Sequence, residues 1–251
     1  MPHFAANLTK LFTEIPMEQR FAAAAEAGFT GVEILFPYDI PAATLSRKAI
    51  KAGLEIVLIN TPPPNWAGGP RGFAAVPGFE ERFRQDFDRA LRFARSLQSR
   101  HIHIMAGTTN DRDARATFID NLAWAAERAP HASLTIEVIN RTDMPGYFLA
   151  DFDLAAGIIA ELGVRNLGLQ FDAYHAQAIT GDAIGTWRKY APVIRHIQIA
   201  GYPGRHEPAG GEIDYPAFFA ELDASGYRGW VSAEYDPEHL TENGLGWLPL
   251  G

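Results

Sequence analysis

The sequence alternates between short runs of strand-forming residues and longer amphipathic segments, and this alternation limits the possible folds more than any other feature. The runs that predict strands are His3–Leu8, Gly31–Phe36, Glu55–Asn60, His101–Ala106, Ser133–Asn140, Leu167–Asp172, Ile194–Ala200 and Trp230–Tyr235. The helical patterns between them are Met17–Ala27, Ala42–Ala52, Phe79–Leu97, Ala114–Ala129, Leu154–Leu162, Ala183–Tyr190 and Tyr215–Ala224. Strands that alternate with helices predict parallel pairing with right-handed crossovers.

Several helical patterns end at a glycine just before the next strand, as in IKAGLEIV and AELGVRNLGL. Glycine is the common left-handed residue after a helix. The length of 251 residues is near the usual size of an α/β barrel, and no linker interrupts the chain. We therefore predict an α/β fold, a single (β/α)₈ TIM barrel domain over residues 1–251, with a doubly wound open sheet as the alternative. Only a short tail follows Glu234, so the last helix is expected to be short or irregular.

The composition excludes several classes of protein. Lys and Arg number 22 against 30 Asp and Glu, a net charge of −8, so neither nucleic acid nor an anionic membrane is an expected partner. The absence of cysteine excludes disulfides, zinc-thiolate sites, iron–sulfur clusters and cysteine nucleophiles. No signal peptide is recognisable and no apolar run approaches the ~20 residues that span a bilayer. We expect a cytoplasmic protein, and a homo-oligomer is compatible with the sequence.

The stretch LTIEVIN places a carboxylate, Glu137, within a run that predicts a buried strand. Asp172, Gln198 and Glu234 also lie at or near the ends of successive predicted strands. The carboxyl ends of barrel strands meet on one face, and three carboxylates brought together repel unless a cation neutralises them. These four side chains therefore predict a metal site. All-oxygen ligands suit a divalent cation such as Mg²⁺, our first expectation, or Mn²⁺.

Other polar residues lie close to these four in the sequence. Arg205 and His206 are candidates to hold a substrate carboxylate, and His175 is a candidate to contact another substrate oxygen. Glu33 is expected either to orient a ligand or to cap a buried amide. His196 is expected to point to the opposite side of its strand from Gln198 and to be a packing residue, as are His101 and His103.

Two long connections follow predicted strands, Thr61–Gly78 and Gly201–Asp214. Loops on this face of a barrel often act as lids or grip the substrate, and that is the functional interpretation of both; a solvated surface loop is the alternative for the first. Motifs for other chemistry are missing. The sequence contains no GxGxxG after a first strand, no GxxxxGK[ST] and no GxSxG, so neither nucleotide binding nor serine hydrolysis has support.

Several stretches resemble the hydroxypyruvate isomerase family of xylose-isomerase-like TIM barrels. They are FAANLTKLFTEIP, GFTGVEILFPYDI, IEVINRTDMPGYFL, LGLQFDAYHAQ, HIQIAGYPGRHEPAGGEIDYP, GYRGWVSAEYDP and LTENGLGWL. The resemblance implies a metal-dependent aldose–ketose type isomerase of carbohydrate and glyoxylate metabolism that interconverts hydroxypyruvate and tartronate semialdehyde, small 2-oxo acid chemistry, through an enediolate. It also implies that Glu137, Asp172, Gln198 and Glu234 are metal ligands and that Glu137 and Glu234 are the catalytic acid/base pair.

The sequence departs from this family in regions that shape specificity. Val138 stands where many relatives have proline, Pro70 stands where relatives often have an acidic residue, and the loop AGTTNDRDARATF is shorter than is common. A 2-oxo-tetronate isomerase therefore remains an alternative. A ketose 3-epimerase is another, although such epimerases usually have histidine in place of Gln198. More distant alternatives are an endonuclease IV-like DNA repair enzyme and a non-catalytic barrel.

Overall fold

Eight parallel strands close into a barrel in sequence order, as the alternating pattern predicts. The computed structural model describes residues 2–63 and 71–248. The strands are β1 His3–Asn7, β2 Gly31–Glu33, β3 Glu55–Asn60, β4 His101–His103, β5 Ser133–Glu137, β6 Leu167–Asp172, β7 Ile194–Ile199 and β8 Trp230–Ala233. Pairing of β1 with β8 closes the barrel through the register of His3 with Trp230 and Ala6 with Ala233. The open-sheet alternative is thereby excluded.

Helices connect the strands on the outside of the barrel. They are α1 Met17–Glu26, α2 Ala42–Ala52, α3 Glu80–Leu97, α4 Ala114–Arg128, α5 Phe152–Leu162, α6 Ala173–Thr180, α7 Ala183–Tyr190 and α8 Tyr215–Ser225. The seven predicted helices are confirmed within two residues at each end. The sequence reading missed α6, which begins directly after β6 and carries His175.

The amphipathic pattern of α3 shows how the outer layer is held. Phe83, Phe87 and Leu91 are buried on one side of this helix. Burial of each such side chain stabilises the fold by roughly 1.5–3 kcal/mol. The connections turn where the sequence predicts: Gly53 and Gly163 follow α2 and α5 in the left-handed conformation, with φ of 70° and 59°. Glycine adopts this conformation without the steric cost that a side chain brings.

In the described part of the chain after β8, residues 234–248, no regular α-helix forms. The main element of this part is a 3₁₀ helix, Thr241–Trp247, which confirms the prediction of a short or irregular last helix. The Trp247 ring packs against Phe4 and Phe219 with ring centroids 5.7 and 6.5 Å apart. The indole Nε1 donates to the Tyr235 hydroxyl at 3.2 Å. This short element therefore covers part of the barrel wall where a helix would otherwise lie.

The two long connections differ in how much of each the structure describes. Residues 64–70 of the Thr61–Gly78 loop, including Pro70, lie outside the described residues, and its role as a lid stays a prediction. The Gly201–Asp214 loop is ordered by its own backbone hydrogen bonds, in which Gly201 N donates to His206 O at 2.8 Å and Arg205 N to Gly201 O at 2.9 Å. Within the described ranges, none of the helices combines the length and apolar character that crossing a membrane requires.

Candidate metal and active site

The predicted carboxylates come together at the carboxyl-terminal mouth of the barrel. Glu137 is the last residue of β5, Asp172 is the last residue of β6, and Glu234 follows β8 directly. All three side chains are buried. One donor atom each from Glu137, Asp172 and His175 lie within 4.8 Å of one another, close enough to hold one metal ion. Side chains from separate strands and from α6 therefore form one cluster.

His175 reaches this cluster because α6 begins immediately after Asp172. The Asp172 carboxylate accepts from Tyr174 N at 2.8 Å and so caps the helix. The ring Nε2 of His175 lies 3.6 Å from Asp172 Oδ2 and 3.9 Å from Glu137 Oε1. Burial lowers the pKa of His175 to about 4, so the ring is neutral at pH 7. A neutral imidazole suits either a metal ligand or a contact with substrate oxygen.

Arg205 brings positive charge into the cluster. Its Nη2 donates to Asp172 Oδ2 at 2.8 Å and lies 3.6 Å from Glu234 Oε2, while Nη1 lies 3.0 Å from His175 Nε2. The backbone of Arg205 has a φ of 59°, which is uncommon for a residue other than glycine. Burial disfavours its charged form, but the attraction of Asp172 and Glu234 outweighs this and raises the pKa of Arg205 above its ordinary value. The guanidinium is therefore a fixed cation.

The two glutamates favour their protonated forms. Burial, reinforced by the charges of Glu234 and Asp172, holds the pKa of Glu137 well above its ordinary range. Burial also raises the pKa of Glu234 to about 8, against the opposing influence of Arg205. Buried carboxylates crowded in this way are neutralised by protons or by a cation. Together with the neutral His175, these oxygen donors fit a hard divalent ion.

Gln198, the fourth residue of the predicted set, is fully buried in the barrel interior. It is in register with Asp172 on the neighbouring strand. Its Oε1 accepts from Gln170 Nε2 at 2.7 Å, and its Nε2 donates to Glu33 Oε2 at 3.0 Å. An amide oxygen has two lone pairs, so Gln170 leaves one for a further partner.

The expectation for the direction of His196 was wrong. His196 and Gln198 both point into the barrel, because residues two apart on a strand share a face. His196 Nε2 makes a short hydrogen bond to Glu33 Oε1. Glu33 also accepts from Asn7 Nδ2 at 3.0 Å, so it caps buried amides, which was one of its two expected roles. His101 and His103 are buried, and each bonds a polar neighbour through Nδ1.

His206 was predicted to hold a substrate carboxylate, but it does not line the cavity that opens onto the carboxylate cluster. It lines a separate cavity with Glu207, Glu238 and Trp247, and its Nδ1 donates to the Asp236 carbonyl at 2.8 Å. The adjacent Arg205 points to the carboxylates instead. The left-handed backbone at Arg205 redirects the chain between these neighbours, which sequence spacing does not reveal.

A cavity of about 300 Å³ opens onto the cluster. Its lining residues are Lys10, Leu35, Asn60, Arg71, Met105, Glu137, Ile139, Asp143, Met144, His175, Arg205 and Glu234. The sequence reading missed Lys10, Arg71 and Asp143, which lie in loops that follow β1, β3 and β5. The sequence does show that these three residues follow predicted strands. Nothing in their spacing, however, distinguishes them from the other charged residues in the loops. The cavity is therefore lined by two glutamates that favour their protonated forms and by three cationic side chains, Lys10, Arg71 and Arg205.

Comparison with known proteins agrees with this architecture. A sequence model described as xylose isomerase-like TIM barrel matches residues 21–250. The chain is 47% identical over 254 aligned residues to a protein of Cupriavidus necator named 2-oxo-tetronate isomerase, covering 99% of this chain and 98% of that protein. It is 40% identical to a protein of Escherichia coli named hydroxypyruvate isomerase, with 99% and 98% covered.

Solved structures give the same fold. The crystal structure of a Brucella melitensis protein described as AP endonuclease, family 2, superposes with a TM-score of 0.95 at 46% identity, over 98% of each chain. An L-ribulose 3-epimerase superposes with a TM-score of 0.79 at 22% identity, over 98% of this chain and 85% of the other, and this likeness concerns the fold alone.

Proposed function

The chain is an isomerase of the xylose isomerase-like TIM barrel family, and we propose that it interconverts hydroxypyruvate and tartronate semialdehyde with a divalent metal ion. The observation that carries the proposal is the pair of buried glutamates, Glu137 and Glu234, which face one cavity and have raised pKa values. Asp172 lies in one donor cluster with Glu137, and Arg205 lies 3.6 Å from Glu234. Sequence relatives named as isomerases of small 2-oxo acids support the same reaction class.

The reaction needs a group that removes a proton from one carbon and a group that returns a proton to its neighbour. Glu137 and Glu234 come from β5 and β8, which lie on different sides of the barrel, so they can approach opposite parts of a bound substrate. Both carboxyl groups line the cavity, where a carboxylate beside the reacting carbon accepts a proton and returns it. We assign Glu137 and Glu234 as this acid/base pair.

The metal ligands we propose are Glu137, Asp172, Gln198 and Glu234, with Mg²⁺ as the first candidate and Mn²⁺ as the second. When bound, the cation supplies positive charge that stabilises negative charge on adjacent substrate oxygens. The closeness of His175 to Asp172 and Glu137 supports a site at this position. His175 is proposed to contact a substrate oxygen at the edge of the site.

The cavity also suits the acid group of the substrate. Arg205, Lys10 and Arg71 supply positive charge on its walls, whereas His206 faces another cavity. Arg205 is held by the buried carboxylates of Asp172 and Glu234, whereas Lys10 pairs with Asp236 in an exposed and therefore weaker ion pair. We therefore place the substrate carboxylate toward Lys10 and Arg71. A volume of about 300 Å³ is suited to a small molecule.

A four-carbon 2-oxo acid is the second candidate substrate. It is favoured by the identities of 47% and 45% to two proteins named 2-oxo-tetronate isomerase. The same proton transfers would operate, and the cavity wall would decide between the acids. The net charge of −8 favours a small acid held by local cations over a DNA substrate, although a structurally similar protein carries an endonuclease description.

The test is turnover by purified protein that has been stripped with EDTA and restored with Mg²⁺ or Mn²⁺. Hydroxypyruvate and a 2-oxo-tetronate are assayed in parallel, and a gel shift with abasic DNA serves as the control. Metal-dependent turnover of hydroxypyruvate is the expected result. Turnover of the four-carbon acid alone would transfer the proposal to the second candidate, and isomerisation without any metal would contradict the mechanism.

A further inference from the structure

A chain of side-chain hydrogen bonds crosses the barrel interior and includes Gln198, which is in register with Asp172. Thr135 Oγ1 donates to Gln170 Oε1 at 3.1 Å, Gln170 Nε2 donates to Gln198 Oε1 at 2.7 Å, and Gln198 Nε2 donates to Glu33 Oε2 at 3.0 Å. All four side chains are at most 1% exposed. The chain therefore links β5, β6, β7 and β2 in an environment where an unmet hydrogen bond is costly.

The direction of this chain is set at only one of its ends. A threonine hydroxyl donates or accepts, and a glutamine amide can be reversed by exchanging its oxygen and nitrogen. The Glu33 carboxylate accepts a hydrogen bond from Gln198 Nε2, and this contact fixes which end of the Gln198 amide faces Glu33. Once Gln198 is oriented, its oxygen requires Gln170 to present its own amide nitrogen. The acceptor end therefore orients both amides.

Glu33 is itself held from two other directions. Asn7 Nδ2 donates to Glu33 Oε2 at 3.0 Å, and Asn7 Oδ1 is occupied by Thr9 N, also at 3.0 Å, which orients the asparagine amide. His196 Nε2 bonds the other oxygen, Oε1. His196 Nδ1 has no hydrogen-bond partner among the described residues, so the bond of this ring to the barrel interior is made through Nε2. These contacts keep Glu33 beneath Gln198.

We propose that Glu33 is a positioning residue that keeps the oxygen of the Gln198 amide, and not its nitrogen, available to the cation. The inference rests on the proposed function, because it takes Gln198 as a metal ligand beside Asp172. A reversed amide would point its NH₂ group at the divalent cation, and an amide NH₂ group does not act as a metal ligand. Partners that orient metal ligands in this way typically contribute roughly 10–100-fold in metal affinity.

The test compares Mn²⁺ binding by isothermal titration calorimetry in metal-stripped wild-type protein and four variants. Glu33→Gln keeps the size of the side chain but no longer requires Gln198 to donate, so the dissociation constant is expected to rise roughly 10–100-fold. Thr135→Val removes the far end of the chain and leaves an unmet acceptor at Gln170, but Glu33 still orients Gln198. Its dissociation constant is expected to stay within about threefold of wild type, below the range for an orienting partner.

The double variant Glu33→Gln/Gln198→Glu exchanges the amide and the carboxylate between the two positions. A carboxylate presents oxygen in either orientation, so tight Mn²⁺ binding is expected to return while the net charge stays the same. A carboxylate at position 198 binds Mn²⁺ more tightly than an amide whatever Glu33 does, so Gln198→Glu alone is measured as the reference. If Glu33 acts by orienting the amide, adding Glu33→Gln to Gln198→Glu leaves the dissociation constant within about threefold, whereas a purely structural role predicts the same loss as in wild type. The double variant also tests the proposal if Glu33→Gln alone does not fold, which circular dichroism would reveal.

Three results would overturn the inference. They are wild-type affinity in Glu33→Gln, an equal loss in Thr135→Val, and the same loss when Glu33→Gln is added to Gln198→Glu. Each of these leaves the proposed function standing, because the wild-type protein would still bind Mn²⁺ and isomerise its substrate. If the wild-type protein binds no Mn²⁺, the proposed metal-dependent function fails, and this inference fails with it.

Discussion

Arg205 Nη2 lies 2.8 Å from Asp172 Oδ2, so a guanidinium of the protein contacts a carboxylate that we propose as a metal ligand. The second terminal nitrogen of the guanidinium, Nη1, lies 3.0 Å from His175 Nε2. Arg205 thus contacts the carboxylate cluster and also lines the cavity that opens onto it. A planar guanidinium makes both contacts at once, whereas a lysine ammonium is a single point of charge.

The first prediction follows from this geometry. Arg205→Lys is expected to lower kcat/KM by roughly 10–100-fold, about 1.4–2.7 kcal/mol of transition-state stabilisation, because one of the two contacts is lost. Steady-state kinetics with either acid measures the effect. Arg100→Lys is the matched control, since Arg100 is half-exposed and pairs with Glu55 on the surface. If Arg205→Lys and wild type had the same kcat/KM, Arg205 would have no role in transition-state stabilisation.

The second prediction concerns the acid/base pair. Glu137→Gln and Glu234→Gln are each expected to fold normally and to lose roughly 10²–10⁴-fold in kcat, since an amide does not transfer protons. Burst and steady-state assays at saturating metal separate this loss from weaker metal binding. Glu26→Gln, at an exposed position at the end of α1, serves as the control. Near-normal turnover in either buried variant would assign its acid/base role elsewhere.

The third prediction is that metal binding releases protons. Burial raises the pKa of Glu234 to about 8, so a cation must displace a proton from it at neutral pH. The affinity for Mn²⁺ is therefore expected to rise between about pH 6 and pH 8. Titration calorimetry in buffers with different ionisation enthalpies counts the released protons. An affinity that does not change with pH would show that the glutamates are already ionised.

The same pKa shift predicts how the metal-free protein responds to pH. The folded protein holds the Glu234 proton more tightly than the unfolded chain, whose pKa is near 4.5. The stabilising contribution is therefore complete below about pH 4.5 and is lost as the pH rises through about 8. Thermal melts of metal-free wild type and Glu234→Gln are expected to diverge across this window, with the variant less sensitive to pH. Parallel pH profiles would contradict the shift.

The fourth prediction separates two histidines that the sequence treats alike. His175→Ala is expected to lower kcat/KM by roughly 10²-fold, because His175 lines the cavity beside Asp172. His206→Ala is expected to change kcat/KM by less than about threefold and to cost about 1 kcal/mol of stability, the value of its hydrogen bond to Asp236 O. A large kinetic loss in His206→Ala would show that the substrate extends into the neighbouring cavity.

The fifth prediction concerns the substrate carboxylate. Lys10 lines the cavity and is paired with Asp236 at 3.0 Å. Lys10→Met is expected to raise KM by about tenfold for either acid and to leave kcat within about twofold, since the lost attraction acts equally on bound substrate and transition state. Lys48→Met is the control, because Lys48 pairs with Glu18 between α1 and α2. A drop in kcat with unchanged KM would place Lys10 in the chemical step.

Much of the architecture was predictable because its determinants are local. The alternation of short apolar runs with amphipathic segments, such as Glu80–Leu97, reports strand and helix directly through side-chain periodicity. Parallel strands then place their carboxyl ends on one face, so the positions of Glu137, Asp172 and Glu234 followed from three short sequences. The α6 helix was missed because it follows its strand without an intervening turn that would separate the two patterns.

Features that depend on register and loop path were decided by the tertiary structure. The sequence by itself determined the barrel, the polar residues at the strand ends and, through resemblance, the class of chemistry. Only the closed barrel brings Glu33 of β2 against His196 and Gln198 of β7, which are more than 160 positions away in the chain. Only the left-handed turn at Arg205 sends its side chain to Asp172 while His206 faces another cavity. Periodicity shows which face of its own strand or helix a residue occupies. Hydrogen-bond partners across a barrel depend instead on how distant strands are placed and registered, which no local pattern encodes.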